Sequence, residues 1–270
     1  MLALTELGTA PGSPAPYIPG FECITHVPRP FSHASGGVAC YVKSCLAAHA
    51  RPGNRHPDLG ITSIYITLAG YQPIQVVCAY LPHQTSVCLT PDIVAANQSD
   101  RDEARDAWFD ILHEQVASQQ GCLTVVCGDF NARTGLLSEV GADEWSDLQD
   151  AGLPVPATVL DYHDAVLSLP VRQNMDTVLN SWGTALIDFA RDAGLVLLNG
   201  RLPGDPNGAH TFHNRRGHST IDYFLSAPTT CFSGGQPLPG CCLHVTDLTA
   251  LPPGRAYDHC PVTLSFPLVR

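Results

Sequence analysis

Residues 125–131, VVCGDFN, change within a few positions from an apolar run to groups that could do chemistry. The apolar part is typical of a strand covered on both faces, and Gly128 permits a turn or a close backbone approach. Asp129 and Asn131 are two apart, so on an extended chain their side chains point the same way. They are predicted to converge at the carboxyl end of the strand, where ligands bind in layered α/β folds. An Asx-rich turn is the alternative interpretation.

Other polar groups also lie at the ends or turns of apolar, strand-like runs. Together with the first pair they are Glu6, Tyr80, Asp129, Asn131, Asp222, Asp258 and His259. Oxygen donors with one imidazole suit Mg²⁺ or Mn²⁺ better than zinc, and clustered carboxylates need a cation because they repel one another. Such a site could activate water and hold a phosphoryl oxygen.

Short apolar strands must position these groups. They are predicted over 38–42, 61–68, 75–80, 123–127, 195–198, 220–225, 243–246 and 262–266. The first three suggest an antiparallel meander. Residues 51–60, with two prolines and two glycines, are predicted to be a turn or an exposed loop.

Two amphipathic helices are predicted between the strands. The first spans 100–117, with Ser99 or Asp100 as its N-cap. The second begins with Ser181 as its N-cap and stops at Gly194. Residues 134–178 have weak periodicity and are interpreted as a long excursion within a single domain spanning 1–270.

The composition limits the partners. With 14 basic and 25 acidic residues the net charge is −11, which argues against broad adhesion to nucleic acid or to an anionic membrane. A phosphate substrate stays possible because a metal ion supplies positive charge locally. Eleven cysteines without zinc spacing favour a reduced, intracellular setting, and no apolar run is long enough to span a membrane. We expect neither a membrane partner nor a tightly bound organic cofactor; the oligomeric state is open.

Three histidines, His210, His213 and His218, invite a metal interpretation. Loop histidines without a cysteine or carboxylate frame are more often surface residues, so both interpretations stand.

The ordered set of motifs resembles the endonuclease/exonuclease/phosphatase superfamily of metal-dependent phosphodiesterases. The matching segments are Leu4-Thr5-Glu6, Ala79-Tyr80-Leu81-Pro82, the GDFN of 128–131, Ser219 to Tyr223, and Asp258-His259-Cys260-Pro261. The resemblance implies two packed, mostly antiparallel β-sheets flanked by helices, a four-layer α/β sandwich. It also implies hydrolysis of a phosphodiester with Mg²⁺.

The resemblance also implies roles for individual residues. Asp129 orients the attacking water and Asn131 contacts the phosphate, while Tyr80 lies near the scissile group. Asp222 holds the catalytic His259, which acts on the phosphate. Glu6 and Asp258 are the predicted metal ligands, and the predicted DNA contacts, which follow from loop position and charge, are Arg133, Arg215 and Arg216.

Within the superfamily the middle of the chain is most similar to the endonuclease domain of non-LTR retrotransposons. The residues concerned are Arg172, Asp176, Asn180, Gly183, 198–201 (LNGR), Asp205, Gly208 and Thr211. This likeness implies DNA as the partner, a nick that leaves a 3′-hydroxyl, and a nuclear location.

One departure concerns the N-terminus. The superfamily's first strand, which carries an asparagine beside the metal, should precede Glu6, so the domain is expected to be N-terminally truncated and to lack that strand. Two alternatives follow: a catalytically inactive remnant, or a phosphatase or lipid phosphodiesterase on the same fold.

Overall fold

The computed structural model describes residues 1–29, 36–83, 88–90, 93–94, 98–118, 121–140, 157–250 and 258–269. Seventeen strands lie in these ranges: β1 (Leu2–Leu4), β2 (Phe21–Val27), β3 (Val38–Lys43), β4 (Ala50–His56), β5 (Ile61–Ile66), β6 (Ile74–Tyr80), β7 (Cys88–Thr90), β8 (Ile93–Val94), β9 (Leu123–Asp129), β10 (Val196–Leu197), β11 (Phe212–Asn214), β12 (Gly217–Ser219), β13 (Asp222–Ser226), β14 (Phe232–Ser233), β15 (Gln236–Pro237), β16 (Cys242–Val245) and β17 (Val262–Ser265).

The helices lie between these strands. They are α1 (Gln98–Ala117), α2 (Ala157–Ser168), α3 (Ser181–Asp192) and the single turn α4 (Pro228–Cys231). Three short 3₁₀ segments accompany them: Ser44–His49, Pro57–Leu59 and Leu248–Ala250. Among the described residues, none of the helices combines the length and apolar character needed to cross a lipid bilayer.

Two sheets form the centre of the molecule. One has the strand order β1-β3-β2 and is antiparallel. The other has the order β10-β13-β9-β6-β5-β4 and is antiparallel except for the pair β6 and β9. That pair is parallel because the chain between the two strands includes α1 and so crosses over. The remaining strands form two-stranded pairs, β7-β8, β11-β12, β14-β15 and β16-β17.

The core is layered around the six-stranded sheet. Apolar side chains of β3, β5 and β6, such as Val42, Ile64 and Val76, fill the space between the two sheets. On the opposite face α1 and α3 bury Trp108 and Leu186 against the sheet. A third cluster joins α2 and α4 to β10, β16 and β17. The predicted class of two packed, mostly antiparallel sheets flanked by helices is confirmed.

The predicted meander was wrong in its membership. β3 belongs to the three-stranded sheet, and the antiparallel run is β4-β5-β6. Residues predicted as a loop form β4 because they lie at the sheet edge, where a proline and a register shift between Pro52 and Arg55 are tolerated.

Both predicted helices are present, and their predicted N-caps were wrong. α1 begins at Gln98, so Ser99 and Asp100 lie inside it. In α3 the cap is Asn180, whose side chain accepts a hydrogen bond from the backbone N–H of Gly183. Asparagine is as good a cap as serine, and the sequence offered both in adjacent positions.

The excursion predicted over 134–178 is described at 134–140 and 157–178; residues 141–156 lie outside the described residues. α2 packs back onto the fold, where the Tyr162 hydroxyl donates to the Leu195 carbonyl at 2.7 Å. That the segment 134–178 belongs to one domain spanning residues 1–270 stays a prediction.

Candidate active site

Three neighbouring strands of the six-stranded sheet carry polar residues at one level. Asp129, the last residue of β9, is the register partner of Tyr80 on β6 and of Asp222 on β13. Directly paired positions on adjacent strands lie side by side. The sheet register therefore brings a phenol and two carboxylates to one end of the sheet.

Gly128 allows β6 and β9 to stay paired up to this level. Its φ is 149°, and a Cβ at this position would collide with the carbonyl oxygen of Ala79. The prediction that Gly128 permits a close backbone approach is confirmed.

Asn131 contacts Asp129 through a turn of the backbone, whereas the sequence analysis assumed an extended chain at these two residues. Its φ is 48°, a left-handed conformation that asparagine tolerates. Its backbone N–H donates to Asp129 Oδ1 at 2.9 Å, and its Nδ2 donates to Asp129 Oδ2 at 3.3 Å and to the Leu81 carbonyl at 2.9 Å. The two side chains converge as predicted, through the Asx-type turn that was the alternative.

Glu6 reaches the same place from the other sheet. It follows β1 and takes a left-handed φ of 53°. The Tyr80 hydroxyl donates to Glu6 Oε1 at 2.9 Å, and Glu6 Oε2 lies 3.8 Å from His259 Nε2. One ligand atom each from Glu6, Asp129 and His259 lies within 4.8 Å of the others.

His259 is oriented from its opposite ring nitrogen. Nδ1 lies 3.0 and 3.2 Å from the two carboxylate oxygens of Asp222. This contact directs Nε2 toward Glu6, and a carboxylate partner fixes the tautomer and raises the basicity of an imidazole. The ring of Phe212 packs edge-on against His259, with centroids 4.9 Å apart.

The charges of the site affect one another. Burial raises the pKa of the Asp129 carboxyl well above its ordinary range, and the charges of Asp222 and Glu6 raise it further. Burial alone would lower the pKa of His259, but its hydrogen bond to Asp222 and the charges of Asp222, Asp129 and Glu6 raise it to about 9. The site brings three carboxyl groups, those of Glu6, Asp129 and Asp222, around one imidazole.

A divalent cation fits this donor set. Carboxylate oxygens are the ligands that Mg²⁺ and Mn²⁺ prefer. Burial and the neighbouring carboxylates of Asp222 and Glu6 raise the pKa of Asp129 despite the charge of His259, and a cation would add positive charge that favours its ionised form. Glu6 and Asp129 are the residues placed to hold it. The metal identity remains a prediction.

Asp258, the other predicted metal ligand, has a different setting. It lines the same cleft but lies outside the group formed by Glu6, Asp129 and His259. Its backbone carbonyl accepts the N–H of His213 at 2.7 Å. Metal ligation by Asp258 stays a prediction that this geometry does not support.

The site opens into a cleft of about 470 Å³. The residues that line it are Glu6, His83, Asp129, Asn131, Arg133, Asn180, Phe212, Asn214, Ser219, Ile221, Asp258 and His259. Arg133 is bound on both sides of its guanidinium fork by buried Asp176, at 2.6 and 2.8 Å. Arg215 and Arg216 are exposed in the turn of hairpin β11–β12, beside Asn214 at the cleft.

The middle pattern found in the sequence has a structural role. Asp176 accepts from Thr220 N–H at 3.1 Å in addition to Arg133. The side chain of Asn199 makes the hydrogen bonds that a neighbouring strand would make to β13. Its Oδ1 accepts from the N–H of Phe224, and its Nδ2 donates to the carbonyl of Asp222. These residues support the backbone that presents Asp222.

The glycines of that pattern permit close backbone contacts. A Cβ at Gly183 would collide with the Arg133 carbonyl, and one at Gly200 or Gly208 with the Gln173 carbonyl. Substitution at Gly183 would displace Arg133, which lines the cleft, and substitution at Gly200 or Gly208 would displace the segment around Gln173.

Thr211 is a positioning residue that the sequence singled out only through the resemblance. Its fully buried hydroxyl accepts from the N–H groups of Ile221 and Asp222, both at 3.0 Å. Its carbonyl accepts from Cys260 N–H at 2.7 Å. Thr211 thus connects the segments on either side of the Asp222–His259 contact.

His83 and Phe212 also line the cleft, and the sequence analysis did not predict them. Their closeness to strand ends was the one sequence feature that pointed to them.

Comparison with known proteins shows which solved structures share this fold. No protein-family model matches the chain, and no curated protein sequence matches it. Among solved structures, the 3′ phosphatase NExo from Neisseria, bound to a product DNA hairpin, is similar with a TM-score of 0.56 and 17% identity, over 98% of this chain and 88% of that one. The AP endonuclease LMAP from Leishmania major is similar with a TM-score of 0.52 and 12% identity, over 93% of this chain and 71% of that one.

These neighbours belong to the endonuclease/exonuclease/phosphatase superfamily, and the likeness shows that this chain has the same fold. At these identities the likeness shows the fold alone. The activity of the chain has to be argued from its own site.

Proposed function

We propose that this chain hydrolyses phosphodiester bonds with the help of a divalent metal ion, and that its substrate is DNA, which it nicks. The observation that carries the proposal is the convergence of Glu6, Asp129 and His259, whose ligand atoms lie within 4.8 Å of one another. Two carboxylates, a carboxylate-oriented imidazole and a cleft beside them match what in-line attack of water on phosphorus requires.

Each residue of the site has a distinct part in this proposal. A bound Mg²⁺, held by Glu6 and Asp129, would supply positive charge to the phosphoryl oxygens. Asp129 orients the attacking water and accepts its proton. His259 is protonated near pH 7 because its pKa is raised to about 9, so it donates from Nδ1 to Asp222 and from Nε2 to a phosphoryl oxygen. Asn131 positions Asp129 through its two bonds; its contact with phosphate stays a prediction.

We propose DNA as the substrate, in preference to other phosphate esters, for two reasons. Arg215 and Arg216 extend from an exposed hairpin whose base lies at the cleft, where they would meet backbone phosphates. Two solved structures with this fold are a 3′ phosphatase bound to a product DNA hairpin and an AP endonuclease. The retrotransposon-type origin rests on the middle sequence pattern alone, and so does a nuclear location.

A DNA assay tests the substrate and the chemistry together. Purified protein is incubated with supercoiled plasmid and Mg²⁺ beside Asp129→Asn and His259→Ala. We expect the parent to convert the plasmid to open circles and both variants to be slower by roughly 10²–10³-fold. The matched controls are Asp58→Asn and His49→Ala, which change exposed residues that do not line the cleft and should nick like the parent.

A second substrate separates the alternatives. If the folded parent leaves plasmid intact but releases phosphate from a 3′-phosphorylated oligonucleotide, the activity is that of a phosphatase on the same fold. If it acts on neither DNA substrate, the DNA part of the proposal is wrong.

A further inference from the structure

Three histidines outside the candidate active site lie together on hairpin β11–β12 and the segment that leads into it. His213 and His218 are direct cross-strand partners. The ring of His210 has its centroid 4.2 Å from that of His218 and 6.1 Å from that of His213, and the other two are 5.9 Å apart. The proposed hydrolysis uses none of them.

Core packing does not account for this arrangement. His213 and His218 are exposed. His210 is partly buried, and its Nδ1 is shielded from solvent without a hydrogen-bond partner among the described residues. A shielded polar atom without a partner needs an explanation, and a bound ion is one.

The spacing fits one metal ion bound by imidazoles. With Zn–N distances of about 2.0–2.1 Å and tetrahedral geometry, the centroids of three ligating rings lie about 5 Å apart. The observed separations of 4.2, 5.9 and 6.1 Å fall on either side of that value. In the described residues the ligand nitrogens of these three histidines do not yet lie within 4.8 Å of one another. His213 and His218 are exposed strand residues, so a metal ion would draw them in through a change of side-chain rotamer.

We propose that His210, His213 and His218 form a second metal site, for an imidazole-binding transition-metal ion with Zn²⁺ as its expected occupant. Nitrogen ligands suit Zn²⁺, Cu²⁺ and Ni²⁺, whereas the oxygen ligands of Glu6 and Asp129 suit Mg²⁺. The two sites therefore take different classes of metal, and this one does not depend on the proposed hydrolysis.

The surroundings of the three histidines carry charges of both signs. Arg215 and Arg216 occupy the hairpin turn and disfavour a cation, while Asp247 lies close enough to His213 for their charges to interact. The backbone N–H of His213 donates to the Asp258 carbonyl, so the hairpin is attached to the segment before His259. A metal held here would fix the hairpin that carries both arginines.

Zinc binding to the purified chain tests the site directly. Calorimetric titration with Zn²⁺ is done in excess Mg²⁺ on the parent, on His213→Ala and on His218→Ala. We expect one equivalent bound by the parent and an affinity at least about tenfold weaker in each variant, since each loses one of three ligands. His49→Ala, which removes an exposed histidine elsewhere, and Glu6→Gln should keep the affinity of the parent for this equivalent.

Cobalt provides a readout that does not depend on the variants. The exposed Cys23 and Cys45 are rival ligands, and thiolate ligation gives Co²⁺ an intense near-ultraviolet charge-transfer band that imidazole ligation lacks. We expect the Co²⁺-loaded parent to show d–d bands without that band. A thiolate band, no binding by the parent, or unchanged affinity in folded His213→Ala and His218→Ala would each overturn the proposal.

Discussion

At the scale of single residues, the site is a buried carboxylate surrounded by other acids. Asp129 is 1% exposed and is held by two bonds from Asn131, so it cannot move away from Asp222 and Glu6. Such an arrangement destabilises the empty site and favours a bound cation. The residues around Asp129 then divide into those that touch the substrate or metal and those that orient them.

Asp222→Asn tests the orienting role. The amide can no longer stabilise an imidazolium or fix the same tautomer of His259, so we expect kcat for nicking to fall about 10–100-fold with KM little changed. Steady-state kinetics on plasmid measure both constants. Asp247→Asn, an exposed carboxylate outside the cleft, is the control. A normal kcat in folded Asp222→Asn would remove this residue from the mechanism.

Tyr80→Phe tests the hold on Glu6. The ring stays in the core, while the hydroxyl that donates to Glu6 at 2.9 Å is lost. A hydrogen bond to a charged group contributes about 1.5–3 kcal/mol, so the Mg²⁺ concentration for half-maximal activity should rise about tenfold or more. Tyr41→Phe removes a comparable hydroxyl bond, to the Pro16 carbonyl, and should leave the Mg²⁺ requirement unchanged. Equal requirements in all three proteins would contradict the role.

At the scale of elements, helix α3 is tied to the site through its cap. Asn180 Oδ1 accepts from the N–H of Gly183 at 2.7 Å and from the N–H of Arg133 at 3.0 Å. The same side chain thus begins the helix and fixes the loop that follows Asp129. Gly183 permits this closeness because any Cβ there would collide with the Arg133 carbonyl.

Asn180→Ala and Ser181→Ala separate the true cap from the predicted one. Loss of a cap costs about 0.5–2 kcal/mol, and the lost bond to Arg133 adds to it. We expect urea unfolding to show Asn180→Ala destabilised by roughly 2 kcal/mol and Ser181→Ala within about 0.5 kcal/mol of the parent. The reverse order would show that the helix begins differently in solution.

Elements were predictable from the sequence where one pattern dominated. The apolar run before Gly128 predicted strand β9. Helix α3 was predicted from the helical spacing of Trp182, Leu186 and Phe189. Strand β4 was missed because Pro52 and Gly53 are turn signals, and only edge pairing with β5 makes them compatible with a strand. Sheet membership of β3 depends on long-range pairing, which local patterns do not contain.

The site was predictable in membership more than in geometry. The order of the motifs predicted that Glu6, Asp129 and His259 belong to one site. It did not predict the left-handed turn at Asn131, which follows from the hydrogen bonds of this residue to Asp129 and Leu81. Asp258 and His259 are adjacent in sequence, yet only His259 joins the group of converging potential ligand atoms. Adjacent residues face different ways, so a paired motif does not place both side chains.

At the scale of the whole molecule, a buried ion pair connects distant segments. Arg201 and Glu139 are 62 residues apart and meet through two bonds of 2.6 and 2.8 Å, with both side chains almost fully buried. Glu139 also accepts the N–H of Leu197 on β10. The pair joins the segment after β9 to the edge of the six-stranded sheet.

Glu139→Gln tests this connection and its pH dependence. Burial alone would raise the pKa of Glu139, but Arg201 and Arg172 hold it below its ordinary 4.5. A lowered pKa contributes stability above about pH 4.5 that is lost as the pH falls through the lowered value. We expect the variant to be about 3 kcal/mol less stable near pH 7, with the difference from the parent shrinking in acid. Urea unfolding at several pH values measures it; a constant difference would contradict the assignment.

The central claim is that Glu6, Asp129 and His259 form one metal-dependent hydrolytic centre. It is tested most directly by plasmid nicking with protein stripped by EDTA and then given increasing Mg²⁺, comparing the parent with Glu6→Gln. We predict no nicking without metal, nicking restored by Mg²⁺ in the parent, and a much higher Mg²⁺ requirement with slower nicking in Glu6→Gln. Nicking that persists in EDTA, or that is restored equally in both proteins, would contradict the account.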